Sequence, residues 1–142
     1  GVGHDRCRIR VDENHFEPVI VTNIEFFSIC EHHLLPIVGL AHDAYISNGN
    51  VIGLSKIIRI VRYFAERPQV QERLTIQIVR ELQKALNTDD VACVIDAKHL
   101  CVNSRGIKDI NSSTVTSEFG GKFKKEKIKR EFLDYIKLES EL

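Results

Sequence analysis

No long hydrophobic run and no excess of one sign of charge occur in this sequence. Its 142 residues carry 20 Lys and Arg against 20 Asp and Glu, so the formal net charge is zero with histidine neutral. This balance argues against a protein that binds nucleic acid or a membrane through its overall charge. Apolar runs are only a few residues long, far below the ~20 residues that a membrane-spanning helix needs. The N-terminus has no apolar segment typical of a signal peptide, and we therefore expect a cytoplasmic protein.

Cysteine is scarce as well. The four cysteines, Cys7, Cys30, Cys93 and Cys101, are too few for the disulfide framework of a small secreted protein. Metal ligation, catalysis or plain burial are the commoner uses of cysteine in the cytoplasm, although a Cys30–Cys101 disulfide stays open at this stage. Hydrophobic residues make up 43% of the chain and charged residues 28%, which is typical of a globular domain. We expect one domain over residues 1–142.

The pattern of apolar residues predicts both strands and helices. Segments rich in β-branched and aromatic residues predict strands at residues 17–29, 36–47, 90–102 and 112–119. Helical periodicity predicts one helix from an N-cap at Ser55 to Pro68, a second at about 69–87 that stops at Asn87, and a short amphipathic C-terminal helix. The order β-β-α-α-β-β-α indicates an α+β protein with an antiparallel sheet.

Two short segments concentrate reactive side chains. Cys30 and His33 have the spacing of two ligands on one tight turn, and His99 and Cys101 lie two apart in a predicted strand, so their side chains share a face. Cys30, His33 and Cys101 would suit zinc and would leave its fourth position open, as catalytic zinc does. His32 and His99 would then lie beside the metal as acid–base groups. A structural zinc, or ordinary core and surface residues, remain alternatives.

Charged residues form two further groups. Lys56 and Arg59 lie three apart in the first turns of a predicted helix, where backbone amides and cations together favour an anion, and Arg105 follows the predicted His99–Cys101 strand. Glu72, near the start of the next helix, can accept paired hydrogen bonds from an N–H and NH₂ edge. The alternative for each group is a solvated helix surface.

Several motifs along the chain resemble those of GTP cyclohydrolase I. In chain order they are residues 26–36 (Phe-Phe-Ser-Ile-Cys-Glu-His-His-Leu-Leu-Pro), 53–56 (Gly-Leu-Ser-Lys), 69–75 (Gln-Val-Gln-Glu-Arg-Leu-Thr), 99–101 (His-Leu-Cys), 105–106 (Arg-Gly) and 114–117 (Thr-Val-Thr-Ser). The match runs from about residue 15 to residue 123. None of these motifs is specific alone, whereas their agreement in order and spacing is.

The resemblance implies the tunnelling fold, with a four-stranded antiparallel sheet and a helix pair on one side. Subunits of that family join edge to edge into barrels, and two rings stack into a toroidal homodecamer, which pairs the open edges of each sheet. Active sites in the family lie between subunits. The implied reaction is zinc-dependent and converts GTP to 7,8-dihydroneopterin triphosphate and formate, the first step of pterin and tetrahydrofolate biosynthesis.

The resemblance also implies roles for particular residues. Cys30, His33 and Cys101 resemble the zinc ligands of the family. His99 resembles the acid that protonates a purine nitrogen, and His32 resembles a second acid–base group near the ribose. Gln71 and Glu72 resemble the residues that contact the guanine. The residues that contact the triphosphate and ribose are resembled here by Ser55, Lys56, Arg59 and Arg105.

One departure from the family concerns the N-terminus. Family members usually carry N-terminal helices, including a Thr-Pro-x-Arg-Val segment, that this sequence lacks before its first matching motif. We expect either a trimmed chain or a natural short form. For a natural short form, a zinc-dependent hydrolase that opens the imidazole ring of a phosphate-poor purine is an alternative. A non-catalytic ring that binds a purine or pterin is a second one.

Overall fold

The computed structural model describes residues 8–10, 18–103 and 106–141. The strands in this part of the chain are β1 (Arg8–Arg10), β2 (Val19–Cys30), β3 (Pro36–Tyr45), β4 (Pro68–Gln69), β5 (Val91–Asn103) and β6 (Gly106–Phe119). The helices are α1 (Leu54–Ala65), α2 (Gln71–Leu86) and α3 (Glu126–Glu141), and a 3₁₀ turn (Gly121–Lys124) precedes α3. No helix among these residues is long and apolar enough to cross a membrane.

The sheet is built from four long strands, as the sequence predicts. Its order is β1-β2-β3-β5-β6 with antiparallel neighbours, and the two-residue strand β4 pairs in parallel with the end of β2. The short strands β1 and β4 were not predicted, because two or three residues carry no readable alternation. Strand β6 begins at Gly106 and not at residue 112. The expected α+β class with an antiparallel core sheet is confirmed.

The helix pair α1 and α2 packs on one face of this sheet. Alternate residues of β5, from Val91 to Ala97, are buried in the same cluster as the apolar stripes of the two helices. Because successive strand residues point to opposite faces, the intervening residues of β5 face away from the pair. The buried helix residues are Ile57, Ile58, Ile60, Val61, Ala65, Leu74, Ile78, Val79, Leu82 and Leu86.

The C-terminal helix covers part of the opposite face. Phe123 and Phe132 are fully buried with Ile20 and Val94, and their rings meet edge to face with centroids 6.0 Å apart. The predicted apolar stripe of α3 is therefore confirmed. The sequence did not tell which face of the sheet α3 would cover.

The helix ends differ from the predicted ones in detail. Helix α1 begins at Leu54 after Gly53, which has extended backbone and no side-chain cap, so the prediction of Ser55 as N-cap is wrong. Helix α2 begins at Gln71, because the preceding Pro68–Gln69 pair bonds to β2 as a strand. It ends at Asn87, as predicted, and Asn87 adopts the left-handed conformation with φ 52°.

A charged residue lies in the core of the sheet. Asp43 of β3 is 2% exposed and pairs in register with the buried Cys93 of β5. Within the described part of the chain, neither carboxylate oxygen of Asp43 has a hydrogen-bond partner of normal geometry. Burial raises the pKa of Asp43 to about 7, and the thiol of Cys93 opposes this rise only in part, since a thiol is a weak donor. Asp43 therefore destabilises the fold when it is ionised.

We expect the substitution Asp43→Val to stabilise the protein by on the order of 4 kcal/mol above pH 7. The pKa of Asp43 rises from 3.8 to about 7 on folding, so the wild-type stability falls as pH increases through this window. Urea unfolding at pH 5 and pH 8 measures both effects, and the gain should be larger at pH 8. The exposed Asp96→Asn is the control, and an equal gain at both pH values would contradict the assignment.

Candidate active site

The turn between β2 and β3 carries the predicted Cys-x-x-His pair. The Cys30 amide donates to the Leu35 carbonyl at 2.8 Å, and the Leu34 amide donates to the Cys30 carbonyl at 2.7 Å. Leu34 closes the turn in the left-handed conformation with φ 55°. Cys30 is partly buried, whereas His32 and His33 are exposed. The turn thus presents a thiol and two imidazoles at one end of the sheet.

His99 and Cys101 lie in β5 near this turn. His99 pairs with Ile37 of β3, one residue after the Pro36 that pairs with β2. Two strand spacings separate β2 from β5, which puts the backbone of Cys101 on the order of 10 Å from that of Cys30. The side chain of Cys101 lies outside the part of the structure described. The register of β6 shifts beside His99, between Lys98 and Leu100.

Gln71, the first residue of α2, contacts both His99 of β5 and the neighbouring strand β6. Gln71 is 4% exposed, and its amide nitrogen donates to the Thr114 carbonyl at 2.8 Å and to the Thr116 hydroxyl at 3.2 Å. Because these contacts fix the amide orientation, the oxygen of Gln71 faces Nε2 of His99 at 3.4 Å. The Thr75 hydroxyl contacts that of Thr116 at 2.8 Å and completes the network. Gln71 therefore orients the imidazole of His99.

A second residue of α2 contacts the turn itself. Arg73 forms an ion pair with Glu31, with 2.5 Å between Nη2 and Oε2, and the hydrogen bond from Arg73 lowers the pKa of Glu31. The two side chains are 44% and 39% exposed, so solvent screens the pair and it adds little to stability. Its main effect is on geometry, because it ties the Cys30–His33 turn to α2.

The predicted phosphate contacts lie at the other end of the helix pair. Asn48 and Asn50 donate to the carbonyls of Asn87 and Leu86, which brings the chain entering α1 close to the end of α2. The axis of α2 is about 22 Å long, so the start of α1 is far from Gln71 within one chain. The exposed residues Ser55, Lys56 and Arg59 lie there.

The two cations of this group, Lys56 and Arg59, line a groove on the outer surface of the helix pair. Lys56 and Arg59 border a space of about 630 Å³ together with Tyr63 and Arg67, whose guanidinium lies 4.4 Å from the Tyr63 ring centre. Glu81 of α2 also lines it. The groove is basic and suits an anion, although it lies apart from His99.

The structure thus divides the predicted site residues into two groups. Cys30, His32, His33, His99, Gln71 and Glu72 lie at one end of the molecule, and Ser55, Lys56 and Arg59 lie at the other. Arg105 lies outside the described residues. Among the side chains described, no three of His, Cys, Asp or Glu are close enough to hold a metal ion, and Cys101 is not among those side chains. The thiol of Cys30 is free, so the disulfide alternative is wrong.

Sequence reasoning missed the residues that support this end of the molecule. Arg73 and Gln69 lie within a quoted motif without an assigned role, and Thr116 lies 45 residues from the Gln71 that it contacts. A pairing over that distance leaves no signal in local periodicity. The signal that was available is the run of polar residues at the start of α2, where an apolar helix face would be expected to begin.

The fold defines the class of protein. A crystal structure of the archaeosine synthase QueF-Like in its apo form is similar, with a TM-score of 0.56 and 15% identity over 72% of this chain and 91% of that one. The four long antiparallel strands, with the helix pair on one face, form the tunnelling fold, as expected.

The sequence comparisons identify the family within this fold. The family model for GTP cyclohydrolase I matches residues 4–137, so the chain belongs to the GTP cyclohydrolase I family. The GTP cyclohydrolase 1 of Flavobacterium johnsoniae is 75% identical over 125 residues, which are 88% of this chain and 56% of that protein. Those of Bacteroides fragilis and Aliivibrio fischeri are 48% and 53% identical over 90% and 92% of this chain. The chain spans 56%, 66% and 62% of the lengths of these three curated relatives.

Two neighbouring residues of α2 should respond differently to truncation. We expect Gln71→Ala to destabilise the fold by about 1–3 kcal/mol, because it removes a buried amide and leaves the Thr114 carbonyl and the Thr116 hydroxyl of β6 without their donor. Glu72→Ala should change stability by less than about 0.5 kcal/mol, because Glu72 is exposed. Urea unfolding compares the two, and equal effects would contradict the bridging role of Gln71.

Proposed function

We propose that this chain forms the catalytic domain, over residues 1–142, of a zinc-dependent GTP cyclohydrolase I. The reaction is the conversion of GTP and water to 7,8-dihydroneopterin triphosphate and formate, at the start of pterin and tetrahydrofolate biosynthesis in the cytoplasm. The observation that carries the proposal is the meeting of the Cys30–His33 turn, His99 and the start of α2 at one end of a chain of this family.

The proposed metal ligands are Cys30, His33 and Cys101. The donor set fits zinc, because two thiols and an imidazole are the soft and borderline ligands that zinc prefers. The free thiol of Cys30 and the exposed imidazole of His33 share one turn, and Cys101 follows two residues after His99. A bound zinc ion would supply a Lewis acid that activates water for attack on the purine ring.

His99 and His32 are the proposed acid–base groups. We propose that Nε2 of His99 donates to the side-chain oxygen of Gln71, because the amide nitrogen of Gln71 already donates to β6. Nδ1 would then exchange a proton with a purine nitrogen. Imidazole suits this exchange because its ordinary pKa is close to neutral pH. His32 is exposed on the turn and is proposed to act near the ribose.

Glu72 is the proposed reader of the guanine edge. Its exposed carboxylate can accept two hydrogen bonds from the ring N–H and the exocyclic amine. Gln71 is proposed to contribute through its amide oxygen, since its amide protons are used within the sheet. A carboxylate at this position favours guanine over adenine, which lacks that pair of donors.

The triphosphate is proposed to bind Ser55, Lys56, Arg59 and Arg105, with the first three supplied by a second copy of the chain. Their separation from His99 along α2 supports this arrangement, because one chain cannot bring both groups to one GTP. Strand β6 pairs only with β5 in the described part of the chain, and the exposed Phe27 and Val115 lie near the sheet edges. An open edge with apolar neighbours favours association of strands, in keeping with a homodecamer.

Turnover of GTP is the first test. The purified chain should release formate from GTP and form a fluorescent pterin, and a chelator should abolish both because the ligands would lose their metal. We expect His99→Ala and Cys101→Ser to lower kcat by about two to four orders of magnitude. Glu72→Ala should mainly raise KM for GTP.

Other substrates distinguish the alternatives. Turnover of GMP or guanosine without turnover of GTP would favour a phosphate-poor purine as the substrate and overturn the proposal. A metal-free protein that binds a purine without turnover would favour a non-catalytic ring. Full activity of both the His99 and the Cys101 variants would contradict the assigned chemistry.

Mixed assemblies test whether each site combines two chains. His99→Ala and Arg59→Ala should each be inactive alone, and co-assembly should restore about a quarter of the sites, because a quarter of the neighbouring pairs then join two intact halves. Formate release after co-expression measures this recovery. Mixing His99→Ala with Cys30→Ser is the control, since both changes damage the same half, and recovery in the control would contradict the arrangement.

A further inference from the structure

Arg73 makes more contacts near the candidate metal ligands than the sequence suggests. Its Nη1 and Nη2 atoms lie 3.4 Å and 2.5 Å from the two carboxylate oxygens of Glu31. Nη2 also donates to the Pro68 carbonyl at 3.1 Å, and Nε donates to the side-chain oxygen of Gln69 at 3.3 Å. One guanidinium thus joins β4 and α2 to the residue that follows Cys30.

The backbone strengthens the same connection. The Glu31 amide donates to the Gln69 carbonyl at 2.9 Å, next to the parallel pairing of Cys30 with Gln69. The side-chain amide of Gln69 in turn donates to the Phe64 carbonyl and to the side-chain oxygen of Gln77, both at 2.8 Å. Both the main chain and the side chain of Glu31 are therefore fixed relative to the helix pair.

We propose that Arg73 is a positioning residue that holds the Cys30–His33 turn in the geometry needed to bind a metal ion. The inference rests on the metal site of the proposed function. Glu31 lies between the candidate ligands in sequence, so the fork that fixes its carboxylate also limits how the turn can rotate. An exposed turn without this fork would sample several ligand positions, and metal affinity would fall.

The planar shape of the guanidinium distinguishes Arg73 from a simple positive charge. A bidentate fork fixes both the position and the orientation of a carboxylate, whereas an ammonium group acts as a point charge. The variant Arg73→Lys retains the charge and loses the fork. It therefore separates positioning from simple electrostatic attraction.

Metal affinity is the measurement, because it does not depend on turnover. The metal-free chain is titrated with Zn²⁺ or Co²⁺ against a chromophoric chelator. We expect Arg73→Gln and Arg73→Lys to bind the metal about 10- to 100-fold more weakly than wild type, as is usual when a residue that orients a metal ligand is removed. The control is Arg80→Gln, seven residues later on the same helix and exposed, which should bind as wild type does.

A double-mutant cycle tests the route through Glu31. Glu31→Gln should weaken metal binding as Arg73→Gln does, and the double variant should be no weaker than either. Thermal unfolding identifies any variant that fails to fold. If Arg73→Gln does not fold, the metal affinity of Arg73→Lys is compared with that of wild type.

Two outcomes would overturn the inference while leaving the proposed function intact. One is wild-type metal affinity in both Arg73 variants. The other is wild-type metal affinity in Arg73→Lys alone, which would make the positive charge and not the fork the cause. A wild-type chain that binds no metal would instead overturn the proposed metal site, and this inference with it.

Discussion

The docking of the start of α2 against the sheet is the constraint on which the candidate site depends. Within three residues, Gln71 bonds to β6 and orients His99, and Arg73 fixes Glu31 on the β2–β3 turn. Pro68 and Gln69 add a backbone connection to the end of β2. These contacts join segments about 40 residues apart in sequence, so the geometry of the site depends on tertiary packing more than on any local motif.

Most strands and helices of this fold can be predicted from the sequence, because the patterns that indicate them lie within short segments of the chain. Alternation in the long strands, the apolar stripes of the helices and the left-handed stop at Asn87 all follow from short-range periodicity and turn chemistry. The pairing of Cys30 and His33 on one turn follows from their spacing in the same way. Placement of His99 near that turn needs the strand order as well, which the family resemblance supplied.

Other features depend on contacts that no local pattern encodes. Asp43 occupies an apolar position of β3. That it is buried without a partner of normal geometry among the described residues is visible only once β5 is beside it. The buried amide of Gln71 finds its acceptors 43 and 45 residues away. The distance between Ser55 and His99 follows from the antiparallel packing of two helices, which a pattern of charges does not reveal.

The opposite locations of the two groups of residues have a genetic consequence. In a closed ring of the proposed kind, every chain contributes one half to each of two reaction centres. A chain damaged in one half therefore inactivates only the centre to which that half contributes, and its intact half still serves the other centre. Alleles damaged in different halves would partly rescue each other in the same cell, which is the behaviour of intragenic complementation.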